Sequence, residues 1–254
     1  MRANFGPPVS LDFLDGYLFR LLQEIVAKHG LDDSGFENYY GSRITEKVGG
    51  LIEYEERLAR YLLEDYPGRR VVHAGIGIGV LACALVCNGM TVAGVEYYPN
   101  RIASARYLRT ALIEIWPDIE ARYEIIEGNY PDALMPKANP APPTSRFLSR
   151  LRGPNPPADL LKPGPSTRGP WFNSNAILVF TNVASSWSDD TLASIIASLP
   201  RFAEVILDLR LFGMIRDRDQ ERAELFDRIA ATARSAERLP ELAIGSHFAR
   251  FVFT

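Results

Sequence analysis

The chain has 254 residues and a mass of 28.4 kDa, with 47% apolar and 23% charged residues, so it can bury roughly 70–75% of its unfolded surface and needs no metal or disulfide to hold a core. Its 28 Lys and Arg stand against 31 Asp and Glu, a net charge of −3 that argues against a protein with a basic, nucleic-acid-binding body. The 18 prolines are the one unusual count, and eleven of them fall between Pro131 and Pro170.

Residues 1–10 carry one Arg and no apolar stretch, so no signal peptide is expected. No run approaches 18 apolar residues, so no membrane span is expected and the cytoplasm is the default compartment. Residues 10–65 read as helices. Leu11, Leu14, Leu18, Leu21, Leu22 and Ile25 recur at spacings of three and four, with Ser10 as N-cap and Gly30 as stop. A second stripe runs from Ile44 to Leu63, interrupted at Gly49-Gly50, and Tyr66-Pro67-Gly68 closes the segment.

The pattern changes at Arg70. Val71–Ala74 reads as a short buried strand, followed by the glycine turn Gly75-Ile76-Gly77-Ile78-Gly79 and an apolar helix from Val80 to Cys87. Thr91–Glu96 is a second strand, Pro99 opens a helix to about Ile115, and Tyr123–Glu127 is a third strand ending at Gly128-Asn129. Beyond the proline tract come a strand at Ala176–Thr181, a helix at Asp189–Ser198, a strand at Val205–Leu209 and a charged helix at Asp219–Arg238. Leu242–Thr254 reads as a terminal hairpin. Alternating strands and helices predict an α/β fold, a mostly parallel sheet with helices on both faces. Two domains are expected, an N-terminal helical cap at 1–65 and a cofactor-binding domain at 66–254 that carries a Pro-rich basic insertion at about 134–175.

Cys83 and Cys87 lie four apart in the apolar helix and read as core residues. His29, His73 and His247 show no ligand spacing, so no metal is expected. Strand, glycine turn, helix, strand and acid form a nucleotide-binding arrangement: the glycines admit close approach of a ligand, the helix N-terminus offers free N–H groups, and Glu96, at the end of the second strand, can accept from ribose hydroxyls. A nicotinamide or flavin turn wants Gly or Ala at its sixth position, where this chain has Val80. The pattern Gly-x-Gly-x-Gly is met without adjustment.

The stretch VVHAGIGIGVLACALVCNGMTVAGVEYYPNRIASARYL resembles the first half of a class I S-adenosylmethionine-dependent methyltransferase, with a Rossmann-like fold. YEIIEGNYPDAL, AILVFTNVASSW and AEVILDLR resemble its third, fourth and fifth strands. The resemblance spans roughly 66–254 apart from the proline tract, and implies a transferase that uses S-adenosylmethionine. At matching positions it implies that Gly75, Gly77 and Gly79 pass under the methionine moiety, Glu96 holds the ribose diol and Tyr97 lies against adenine. It also implies that Asn129 and Tyr130 border the adenine edge and Asn182 faces the methionine moiety or the substrate. Two positions depart from the family pattern: His73 stands where Asp or Glu is usual, near the cofactor ammonium, and Asn129 where Asp is common. The alternative reading of His73 is a strand-end histidine bonded to backbone.

The acceptor is expected to be a small molecule, with no nucleic acid and no membrane as partner; the oligomeric state is not read. Asn182-Val183-Ala184-Ser185 lacks the Asn/Asp-Pro-Pro-aromatic motif of methyltransferases acting on nucleobase or glutamine amino groups. No catalytic base stands out; His29, His247, Asp208 and Asp189 are the candidates. Tyr39 and Tyr40, in the cap, and Trp187, after the fourth strand, are candidate substrate residues, each with packing as the plain alternative; the same holds for Trp171. The tract 134–175 has six basic residues against Asp159, so it carries +5 and leaves −8 for the rest. It reads as a solvated excursion, a lid for an anionic substrate, or a partner-docking segment. The competing functions are a non-catalytic methyltransferase-like binding protein, favoured by His73, and an NAD(P)-dependent oxidoreductase, disfavoured by Val80.

Overall fold

The computed structural model describes residues 9–29, 40–47, 49–135, 171, 175–181, 188–209, 219–242 and 247–254, without the side chains of 28, 29, 189 and 219. Seven strands form one sheet: β1 (Arg70–Ala74), β2 (Thr91–Glu96), β3 (Tyr123–Glu127), β4 (Ala176–Phe180), β5 (Glu204–Asp208), β6 (Ser235–Arg238) and β7 (Phe248–Val252). Their order is β3-β2-β1-β4-β5-β7-β6. The first five are parallel, and β7 runs antiparallel to both β5 and β6. The helices are α1 (Leu11–His29), α2 (Ser42–Thr45), α3 (Glu53–Asp65), α4 (Val80–Cys87), α5 (Pro99–Ile115), α6 (Ile119–Arg122), α7 (Asp189–Ser198) and α8 (Asp219–Ala230).

Successive strand residues point to opposite faces, so each strand feeds two cores. Val71, Val92, Ile177, Val179, Ile206 and Phe248 face α4, and beyond it Leu14, Leu18 and Leu22 of α1 and Leu58 and Leu62 of α3. Val72, Ala74, Leu178, Phe180, Val205, Leu207 and Phe251 face α7, the 3₁₀ turn after it and α8 through Ile195, Leu199, Leu225 and Ile229. Helix α4 is buried all round from Val80 to Val86, because the sheet lies on one side of it and α1 and α3 on the other. This explains why its sequence shows no polar stripe.

The chain leaves β1 toward β2 and β3 on one side, then returns to β4 and β5 on the other. The reversal between β1 and β4 opens a crevice at the carboxyl ends of the strands, the position where such sheets bind ligands.

Two expected elements are corrected. The helix expected to reach Arg238 stops at Ala230, and Ser235–Arg238 forms β6. The hairpin expected within Leu242–Thr254 is instead made by β6 and β7, and Pro240–Leu242 is a single 3₁₀ turn. As an edge strand with an exposed face, β6 carries no apolar alternation, while Ala, Glu and Arg favour helix when read alone. The unpaired edge of β7 and the cross-strand pair Arg250–Glu237, at 2.8 Å, override that preference. Among the described residues no helix is long and apolar enough to cross a membrane.

Candidate functional site

The site begins where β1 gives way to the glycine turn. Gly75, Gly77 and Gly79 have φ of 69°, 57° and 85°. That left-handed region costs a side-chain-bearing residue roughly 1–2 kcal/mol. Space is as restrictive as conformation: a Cβ on Gly77 would stand 2.5 Å from the Tyr40 hydroxyl, and one on Gly79 would stand 2.3 Å from the Tyr123 hydroxyl. The turn is tied to β2, since Gly75 and Ile76 both donate N–H to the Val95 carbonyl, at 2.8 and 3.2 Å. Gly79 then caps α4.

Glu96 closes β2 and is 3% exposed. One carboxylate oxygen, Oε2, accepts the Gly77 N–H at 2.9 Å. The other, Oε1, accepts the N–H groups of Tyr97 and Tyr98 at 2.9 and 3.1 Å. Three charge-assisted bonds therefore hold a buried carboxylate in register with the turn. A carboxylate offers about four lone-pair directions, so one acceptor position is left over. The Tyr97 and Tyr98 rings that follow lie on the surface, 4.0 Å apart, with the Arg101 guanidinium 4.4 Å from the Tyr98 ring.

His73 lies two residues before the turn, in register with Gly94 and Val179, and is 2% exposed. Its Nε2 lies 2.8 Å from Thr181 Oγ1 across the β1–β4 reversal. Its Nδ1 has no partner among the described residues. The alternative of a bond to backbone is corrected here, because β1 is a central strand whose backbone groups are committed to β2 and β4, and the imidazole finds a side-chain hydroxyl instead. Burial pushes the imidazole down to about 4, so His73 is neutral near pH 7. Glu96, His73, Thr181 and the fully buried Asp208 all project from the same face of β2, β1, β4 and β5, forming a polar row above the crevice.

Tyr40 reaches the turn from the N-terminal segment. It is 6% exposed, its hydroxyl accepts the Ile78 N–H at 3.4 Å, and burial pushes that hydroxyl up to about 12. The ring is held by Arg43, whose guanidinium lies 4.9 Å from the ring centroid. Arg43 forms a buried two-pronged pair with Glu55, at 2.9 and 3.0 Å, and donates to the Gly50 carbonyl. Glu55 also accepts the N–H of Ile52, just before α3.

Of the residues singled out from sequence, His73, the three glycines, Glu96, Tyr97 and Tyr40 gather at the ends of β1 and β2. Asn129 stands exposed after β3, its carbonyl accepting the Ala133 N–H. Tyr130 turns inward: its hydroxyl lies 2.7 Å from Ser198 Oγ, its ring meets Phe180 edge-on at 5.0 Å, and burial raises its pKa. Asn182, Tyr39 and Trp187 lie outside the described residues, as do the side chains of His29 and Asp189 and nearly all of the proline tract. The His247 carbonyl accepts the Leu209 N–H beside Asp208. Trp171 is buried at the amino ends of the strands, its indole N–H donating to Glu124 at 2.7 Å. Thr181 and Glu55 carried no sequence signal, since each acts through a partner brought in by the fold. Among the described residues no group of three or more His, Cys, Asp or Glu could hold a metal.

No protein-family model matches this chain, and no curated protein matches it by sequence. Solved structures do match. The methyltransferase domain of a bacterial CtHen1 is 13% identical over 79% of this chain and 96% of its own, with a TM-score of 0.51. The magnesium protoporphyrin IX methyltransferase of Synechocystis PCC 6803, solved with bound SAM, is 12% identical over 96% and 94%, with a TM-score of 0.50. A putative O-methyltransferase from Klebsiella pneumoniae is 9% identical over 93% and 90%, also at 0.50. Identities this low speak to architecture alone, and the architecture is the class I S-adenosylmethionine-dependent methyltransferase fold.

Proposed function

We propose that this chain is an S-adenosylmethionine-dependent methyltransferase acting on a small molecule. The observation that carries the reading is the bond between Gly77 N–H and Glu96, which locks a left-handed glycine turn to a buried carboxylate at the ligand-binding end of this fold. The residues fit the cofactor chemically. Glu96 has acceptor capacity for a ribose hydroxyl, Tyr97 offers an exposed ring for adenine, and the glycine turn brings bare backbone to the crevice. When bound, the cofactor would supply an electrophilic methyl group with a good leaving group attached.

The protein's share is then positioning, which can lower a barrier by roughly 7–11 kcal/mol. Glu96 fixes the turn and the start of α5 together through Gly77, Tyr97 and Tyr98. Tyr40, braced by Arg43 and Glu55, covers the turn and keeps water from it. His73 sets a neutral group where the family usually has a carboxylate, so a bound cofactor's ammonium would meet a dipole there. Asp208, a fully buried carboxylate at the end of β5, is the first candidate for a base.

A second reading, a protein that holds the cofactor without turnover, rests on that same neutral His73. Calorimetry with S-adenosylmethionine and S-adenosylhomocysteine, on wild type and Glu96→Gln, tests the first requirement. Binding should weaken about tenfold or more in the variant, as a charge-assisted bond is lost; absence of binding to either compound overturns both readings. Mass spectrometry of a metabolite extract incubated with isotopically labelled cofactor separates them, because only a methyltransferase leaves a labelled product.

A further inference from the structure

A groove of about 930 Å³ opens at the other end of the sheet, lined at the first residues of β1, β2 and β3 by Arg70, Thr91 and Tyr123. At about 3.3 Å per strand residue, Arg70 at its rim lies roughly 17 Å from Gly75 of the glycine turn along β1. Four arginines line it, Arg70, Arg106, Arg109 and Arg122, against two carboxylates, Glu120 and Glu124.

The four guanidinium groups are unequally committed. Arg122 is paired with Asp118. Arg109 donates to two backbone carbonyls, of Tyr123 at 2.7 Å and Glu120 at 2.9 Å, which order the side chain without neutralising its charge. Arg106 has one exposed, long contact, 3.4 Å to Glu127. Arg70 lies 4.3 Å from the centroid of the Trp171 ring, and its side chain makes no hydrogen bond or ion pair among the described residues. Trp171 is fixed beneath it by its bond to Glu124. A guanidinium stacked on an anchored indole is held in place by its face, which leaves its N–H edge directed to a ligand.

We propose that this groove is a second ligand site, separate from the crevice, that takes a small-molecule oxyanion bearing at least two negative charges. The pre-ordered guanidinium edge of Arg70 matches the paired oxygens of phosphate or carboxylate, and the charges of Arg106 and Arg109 line the same groove. The volume suits a metabolite, being in the range of small-molecule pockets of about 300–1,000 Å³. The net charge of −3 argues against a polyanionic nucleic-acid strand as the occupant.

Calorimetry at low ionic strength, with no methyl donor present, tests the site with pyrophosphate, inorganic phosphate and citrate. At least one is expected to bind with a dissociation constant of about 1 mM or tighter, and added salt should weaken it. Preference for pyrophosphate assigns phosphate chemistry, and preference for citrate assigns carboxylate chemistry. Arg70→Glu should bind about tenfold to a hundredfold more weakly, the loss of a charge-assisted bond. Glu124→Gln, which removes a negative charge but keeps an acceptor for Trp171, should bind more tightly. Urea unfolding checks that Arg70→Glu is folded; Arg106→Gln, at an exposed position, is the second variant and should shift binding in the same direction. Absence of binding to all three anions, or unchanged affinity in the charge-altered variants, overturns the proposal, and neither outcome bears on binding in the crevice.

Discussion

Lowering the pH should destabilise this protein through His73. The imidazole is 2% exposed, and burial, the sole cause, pushes it from 6.5 to about 4. Above pH 6.5 both folded and unfolded states hold a neutral ring, so the titration costs nothing. Below it the unfolded chain takes up a proton that the folded chain refuses, so stability falls with pH until the folded ring titrates near 4. At 1.36 kcal/mol per pH unit the full window amounts to about 3 kcal/mol, of which about 2 kcal/mol is lost by pH 5. His73→Gln keeps a polar group toward Thr181 Oγ1 and removes the titration. Urea unfolding of both proteins at pH 7, 6 and 5 isolates the effect, because the carboxylates contribute equally to each. Wild type should lose about 2 kcal/mol relative to the variant between pH 7 and 5. A difference that stays constant over that range would refute a neutral buried imidazole at this position.

Three further outcomes follow from the same geometry. Gly77→Ala should cost roughly 1–2 kcal/mol for the left-handed backbone, and more for the Tyr40 hydroxyl 2.5 Å from the new Cβ. In a Tyr40→Phe background the nearest atom becomes the ring carbon at 3.6 Å, so a double-mutant cycle should give a coupling of about 1 kcal/mol, and strict additivity would place Tyr40 elsewhere. Arg43→Met strands a buried Glu55 carboxylate and should cost about 3–5 kcal/mol by denaturant unfolding, part of it recovered when Glu55→Leu is added. Burial raises both thiols, Cys87 to about 12, so iodoacetamide at pH 8 should leave Cys83 and Cys87 unmodified in the native protein and label both in urea.

What could be read from the sequence was whatever depends on neighbours in the chain. Strands β1, β2, β3 and β4 are short apolar runs next to turn residues, and α5 starts at a proline, so their bounds fall within a residue of expectation. The glycine turn and Glu96 are 19 residues apart at the bond between Gly77 and the carboxylate, near enough for one strand-turn-helix-strand unit to carry the signal. By contrast β6 owes its existence to the free edge of β7, and nothing within Ser235–Arg238 announces a strand.

The polar row above the crevice shows the limit more sharply. His73 stood out because it departs from a pattern, yet its chemistry is set by Thr181, 108 positions away. Tyr40 drew attention as half of a tyrosine pair, but its place against Ile78 requires α1 and α3 to pack over α4 and requires Arg43 to meet Glu55. Arg106 and Arg109 belong to α5. They line a groove because Arg70 and Trp171, belonging to other parts of the chain, form its opposite wall. A residue's type can be read where it stands, but its protonation state and its free donors depend on which distant elements the sheet order brings beside it. Arg70, which opens β1, and His73, next to its last residue, are therefore the two positions at which the fold decides most about the chemistry.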